Sequence, residues 1–162
     1  MSFTFLVFSQ LAALALALVG GVFLAFSDFI MRSLSKTSGA GGIEAMQVIN
    51  REVFRWIFMT LFLGLAALSA LLVAYGLMAT DGSTRMLLSA AGLAYLLGCF
   101  GVTVFFNVPM NETLAKMDLG AAETQVYWVE TYLPGWTGWN TFRAIACIIS
   151  AAFLMGLPLV AQ

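Results

Sequence analysis

Histidine is absent from this 162-residue chain, and charge is scarce, with Asp, Glu, Lys and Arg together making up only 9% of it. Without imidazole there is no His-ligated haem, no His-containing zinc site and no Ser-His or Cys-His nucleophile pair. The Glu-x-x-His pairs of di-iron helix bundles are excluded for the same reason. Seven basic residues against eight acidic ones leave a net charge of −1, so no basic face is available for nucleic acid. The two cysteines, Cys99 and Cys147, lie in apolar runs and form no CxxC pair. They read as small hydrophobes, not as a redox motif.

What is abundant is apolar surface. Hydrophobic residues make up 62% of the chain and mean hydropathy is +0.98, against about 45–50% apolar in soluble domains. Residues 1–27 carry no charge, and uncharged runs recur from Trp56 to Thr80, Met86 to Asn111 and Ala144 to Gln162. Each is near the ~20 residues a helix needs to cross the hydrocarbon layer. No alternating ten-residue pattern of a membrane barrel occurs. The sequence therefore predicts an all-α fold, a four-helix transmembrane bundle forming one integral membrane domain over 1–162. Its helices are expected at about 3–32, 44–79, 86–108 and 135–160, with a short amphipathic interfacial helix at about 121–133. The first run lacks a basic n-region and is too long for a signal peptide, so it reads as a retained span.

Lys and Arg set the expected orientation. Arg32, Lys36, Arg51, Arg55, Lys116 and Arg143 fall on or near the two longer connections, and Arg85 stands alone on the other side. The positive-inside rule then places those connections in the cytoplasm of a bacterial inner membrane, with both termini periplasmic. Small residues recur every fourth position at Ala13, Ala17, Gly21 and Ala25, and again at Ala90, Ala94 and Gly98. These ridges read as close helix seams, within the bundle or toward another subunit.

Polar residues gather at the cytoplasmic ends. After the Thr37–Gly42 break, Ile43, Met46, Ile49 and Val53 line one side of an amphipathic helix, and Glu44, Gln47, Arg51 and Arg55 the other. That helix is expected to run into the second span, where Arg51 and Arg55 repel each other unless an anion sits between them. Ser27, Asp28 and Arg32 end the first helix, with Asp28 and Arg32 spaced for an ion pair. The second helix brings Asn50. The third brings Asn107 and Asn111 around Pro109, whose missing N–H frees the Phe105 carbonyl. In the fourth, Trp136, Trp139, Asn140 and Arg143 share a face, and Trp128, Tyr127 and Tyr132 suit the headgroup layer. Arg143 stands out, because a charge inside a span needs a protein partner or a wet cavity. Asp28 is its expected carboxylate, with Glu44 and Glu112 in reserve. Two readings stay open. Asn residues can bridge helices while Arg snorkels to the interface, or the convergence from four helices is a ligand site.

Four stretches resemble the signatures of the anthrone oxygenase-like family of small four-helix membrane proteins, many of unknown function. They are Phe26-Ser27-Asp28-Phe29-Ile30-Met31, Ala45 to Arg51, Gly101-Val102-Thr103 with Asn107 to Asn111, and Trp136 to Arg143. The resemblance spans about residues 20–155, and at Thr141 it departs from the His that often follows Trp-Asn in the family. It implies oxidation of anthrones by dioxygen without a metal or organic cofactor. Under that expectation Asp28 is the base and Arg143 or Arg51 holds the enolate. Asn50, Asn107, Asn111 and Asn140 orient the substrate, and Trp136 and Trp139 stack on its rings. The expected partners are membrane lipids and a small hydrophobic ligand. The alternative is a non-catalytic accessory subunit of a larger membrane complex, or a homo-oligomer. No repeated halves or paired broken helices suggest a transporter.

Overall fold

The computed structural model describes residues 2–160 and is helical throughout its regular structure. Four helices are long and apolar enough to cross a membrane: α1 (Phe3–Leu34), α3 (Trp56–Ala79), α4 (Gly82–Ala115) and α5 (Ala122–Val160). A shorter helix, α2 (Gly41–Glu52), lies between the first two spans. The protein is membrane-embedded, and its exposed surface is correspondingly rich in Leu, Ile, Val and Phe. Neighbouring spans run antiparallel. Gln10 meets the Leu154 carbonyl, and Asn140 meets that of Phe23 from the same pair of helices.

Three boundaries differ from the expectation. The stretch 44–79 is not one helix: α2 stops at Glu52, and α3 begins at Trp56, whose φ of 37° is rare for a bulky side chain. Arg51 and Arg55 therefore share no helical face, and Arg55 instead pairs with Glu52 at 2.9 Å on the surface. The interfacial segment 121–133 does not end at Pro134, because α5 continues through it by a wide π-turn at Tyr127–Tyr132. There the Leu133 N–H reaches back to the Trp128 carbonyl, so the proline enters in the first turn of the following α segment, where no N–H is needed. α4 likewise runs on past Pro109, with a π-turn over Thr103–Asn107 just before it.

Two kinds of packing hold the spans together. Away from α2, small residues let backbones meet. A methyl on Gly92 would lie 2.5 Å from the Ser69 carbonyl, and one on Gly98 would lie 2.6 Å from the Ala146 methyl. The ridge expected on α1 is only partly the seam. Ala13 is buried, but Ala17 and Gly21 face outward, and the contact passes instead through Leu16, Val19, Gly20 and Phe23. At the α2 end the ties are polar. Gln47, expected on a water-facing stripe, is buried and donates to the Leu114 and Met117 carbonyls at 2.8 and 3.2 Å. These carbonyls belong to the last turn of α4 and the residues just past it, where the regular helical ladder runs out and acceptors have lone pairs to spare.

Substituting Gly92 with alanine should lower thermal stability in detergent by about 1–3 kcal/mol through overpacking. Gly64→Ala on the outer side of α3, where nothing lies within 4 Å, should be neutral or stabilising. Equal unfolding midpoints for the two variants would contradict this seam.

Candidate functional site

Arg143 lies inside the bundle, 5% exposed, one turn beyond Asn140 on α5. Its Nη2 donates to Asn140 Oδ1 at 2.7 Å and its Nη1 to Thr103 Oγ1 at 3.1 Å. The guanidinium carbon stands 4.2 Å from the Phe23 ring centre and 5.4 Å from that of Trp136, which places the charge against two π faces. Nε is buried and has no hydrogen-bond partner. All eight carboxylates, Asp28 among them, are exposed. Arg143 is thus a buried cation with no carboxylate beside it among the described residues.

The residues that hold it are themselves fixed. Asn140 donates through Nδ2 to the Phe23 carbonyl and to Ser27 Oγ, both at 2.6 Å, tying α5 to α1 at the start of the wide turn Phe26–Ile30. Thr103 donates to the Cys99 carbonyl at 2.8 Å, which leaves its oxygen lone pairs for Arg143. A second network lies one to two turns nearer α2. Asn111 Oδ1 accepts from the Tyr132 hydroxyl at 2.7 Å and from Trp136 Nε1 at 2.8 Å, and Asn50 donates to Tyr132 at 3.2 Å. Trp128, Tyr132 and Trp136 stack in sequence, with ring centres 5.3 and 6.1 Å apart. Asn107 donates to the Trp136 carbonyl, and its own Oδ1 is buried without a partner.

Beside these networks is a cavity of about 290 Å³. Its walls come from all five helices and are mostly aromatic and aliphatic, with Phe23, Phe58, Phe62 and Met46 prominent. Its polar lining consists of Asn50, Thr103, Asn111, Arg143 and the indole of Trp136.

Of the residues singled out in the sequence, Asn50, Asn111, Trp136 and Arg143 line this cavity, and Asn107 and Asn140 support it from behind. Three lie elsewhere. Asp28 is exposed and so does not reach the buried Arg143, and it does not pair with Arg32 because the π-turn Phe26–Ile30 widens the helix between them. Arg51 is exposed at the end of α2. Trp139 is 36% exposed and stacks on Phe106 with ring centres 3.9 Å apart. Three residues after Trp136 amount to about 300° of turn, which puts Trp139 at the edge of the inward stripe. Thr141 lies within hydrogen-bond distance of Ser27 Oγ and the Thr137 carbonyl and does not line the cavity. Thr103 and Tyr132 were the residues missed. Thr103 and Asn107 are the ends of a π-turn, so their spacing of four gives no reliable sign of a shared face, and the Tyr132 hydroxyl gives no sign in the sequence of which way it turns.

Together these features define a four-span membrane protein with an apolar cavity floored by a buried guanidinium. A model of the anthrone oxygenase family matches residues 51–153, and the chain belongs to that family. The match takes in the Asn107–Asn111 and Trp136–Arg143 motifs and all of α3, and it leaves outside the α1 motif and, of the Ala45–Arg51 stretch, all but Arg51. No curated protein and no solved structure matches the chain.

Replacing Asn111 with leucine strands two buried donors, the Tyr132 hydroxyl and the Trp136 indole, and should cost about 2–4 kcal/mol. Asn50→Leu removes one longer bond and should cost less than half of that. Thermal unfolding of both variants in the same detergent would decide, and equal losses would contradict the shared-acceptor role.

Proposed function

We propose that the cavity binds a small, flat, hydrophobic aromatic with an acidic oxygen, anthrone- or quinol-like, and that the protein oxidises it with dioxygen without a cofactor. One observation carries this reading: Arg143 is a buried cation facing aromatic walls, with no carboxylate to neutralise it. Such a charge is costly without an anionic partner, and an enolate or phenolate brings the missing charge on an apolar body. The family's name supplies the reaction class.

The chemistry fits what these side chains can do. Arg143 would hold the enolate oxygen, lowering the acidity barrier of the substrate carbon that must lose a proton. Asn111 and Asn50 are placed to orient a second oxygen, and Phe23, Phe58 and Trp136 to pack the rings. No acidic side chain lines the cavity, so the proton passes to water and neither Asp28 nor Arg51 takes part. The carbanion gives its electron pair to dioxygen, the peroxide anion takes a proton back from water, and the hydroperoxide loses water to leave the quinone carbonyl. Anthrone and dioxygen thus become anthraquinone and one water. We also place the α2 end in the cytoplasm of a bacterial inner membrane. With Arg143 buried, Arg32, Lys36, Arg51, Arg55 and Lys116 still outnumber Arg85 at the opposite end.

A second reading is an accessory subunit or homo-oligomer. It draws on the shallow outward groove of Ala90, Ala94, Gly98 and Ala146 between α4 and α5. Native mass spectrometry from mild detergent separates the two. A bound aromatic on a lone chain supports the pocket, and a partner at fixed ratio supports the subunit.

The direct test is anthrone oxidation by purified protein, followed as anthraquinone formed and dioxygen consumed over a detergent blank. Arg143→Gln should lower kcat/KM by about 100-fold or more, Arg143→Lys by less, and Arg85→Gln should match wild type. No acceleration by the wild-type protein would refute the oxygenase reading.

A further inference from the structure

The mouth of the cavity is as informative as its floor. Four of the residues lining it are also at the outer surface: Val22, Phe54, Leu63 and Val104, between 42% and 66% exposed. All four are apolar. Leu63 lies seven residues inside α3, and Val22 and Val104 lie twelve and eleven residues before the ends of α1 and α4. At 1.5 Å per residue those are depths of about 10, 18 and 16 Å from the α2 end. An apolar rim at that depth faces acyl chains, not water.

The opening has a structural cause. The Tyr95 hydroxyl donates to the Phe62 carbonyl at 2.9 Å and pins α3 to α4. From that pin toward Ala79 the two helices pack closely, whereas toward Trp56 α3 stands away from the Thr103–Asn107 turn. Its main tie to α1 there is an edge contact between Phe58 and Phe23, ring centres 5.8 Å apart. Toward the aqueous side the rim narrows to Phe54 in the break between α2 and α3. α2 lies over the cavity with Met46, Ile49 and Asn50. Gln47 and Asn50 tie it to α4 and α5, and Gly42 presses its first turn against the Leu34 carbonyl.

We propose that the site is loaded from within the bilayer: an uncharged aromatic ketone or phenol dissolved among the acyl chains enters sideways past α3, over Val22, Leu63 and Val104. This rests on the reading that the cavity takes an apolar aromatic, and not on the oxidation that follows. Only the uncharged form can use such a route, since hydrocarbon excludes the anion. Burying one face of the rings against Phe58 and Phe62 then replaces lipid contacts with protein contacts before the oxygen reaches Arg143.

Benzophenone is a suitable probe, because its photoexcited carbonyl abstracts hydrogen beside a thioether sulfur and the two radicals combine, adding its whole mass to methionine. Met46 and Met59 line the cavity. The wild-type protein in phosphatidylcholine vesicles is irradiated with benzophenone or with benzophenone-4-sulfonate, which the bilayer excludes, and the adducts are mapped by mass spectrometry. Neutral benzophenone should label Met46 or Met59 at least about tenfold more than the sulfonate. Leu63→Trp and Val104→Trp, at surface positions that tolerate bulk, should each cut that labelling by about tenfold, while Val48→Trp on the outer face of α2 should not. Equal labelling by the sulfonate, or full labelling in both portal variants, would overturn the route. Labelling by neither probe would overturn the route and the aromatic cavity together. Portal-dependent labelling in a protein that fails to oxidise anthrone would uphold the route and remove only the oxidation.

Discussion

A guanidinium buried without a carboxylate organises this bundle. Placing Arg143 inside four apolar helices is unfavourable unless its donors and its charge are met. The neighbouring helices each contribute to meeting them: Thr103 from α4, Asn140 from one turn earlier on α5, and the ring of Phe23 from α1. Asn140 is fully buried because it serves two masters, accepting from Arg143 while donating to the Phe23 carbonyl and Ser27. The same interaction that satisfies the cation therefore sets the depth at which α1 and α5 cross. What these neighbours leave unmet is the net charge itself and the Nε donor.

The two halves of the bundle are held by different physics. Toward the Thr80 turn, association depends on close backbone approach at Gly76, Gly92 and Gly20, where dispersion contacts gain from the missing side chains. Toward α2, side-chain amides and hydroxyls cross-link the helices, through Gln47, Asn50, Asn111 and Tyr132. Close approach leaves no room for a ligand, whereas amide links hold helices apart at fixed distances. The cavity sits on the second side of that division. Three wide turns, Phe26–Ile30, Thr103–Asn107 and Tyr127–Tyr132, fall in this half. Each rotates the side chains that follow it relative to a straight helix, and such turns gather at functional sites.

The four spans were legible in the sequence because a transmembrane helix needs only length and hydropathy, and both are carried by consecutive residues. The site was legible in part. Asn111, Trp136, Asn140 and Arg143 could be singled out as polar or amphipathic residues in apolar runs, and the structure brings them together. The expected Asp28–Arg32 pair does not form because a spacing of four means a shared face only in a regular α-helix, and the π-turn removes that regularity. Gln47 looked solvated because its neighbours on the polar stripe are charged, and nothing local reveals that the Leu114 and Met117 carbonyls will lie beside it. The break at Val53–Arg55 was hidden as well, since no Gly or Pro marks it and the left-handed residue is Trp56.

Thr141 bears on the chemistry in a way that its spacing alone obscures. It stands where the family signature that this stretch resembles often has histidine, and losing a base there would count against proton abstraction if the position faced the substrate. Its hydroxyl instead meets Ser27 across the α1–α5 seam, outside the cavity lining. A side chain at 141 in this geometry acts on how α1 seats against α5, and through Asn140 on how Arg143 is held. Under the proposed function, the demand on the cavity is then for a cation and an apolar wall, with the acidity supplied by the ligand. An anthrone-like carbon acid meets that demand because its enolate is stabilised by its own rings, so a fixed cation can suffice where a less acidic substrate would also need a base.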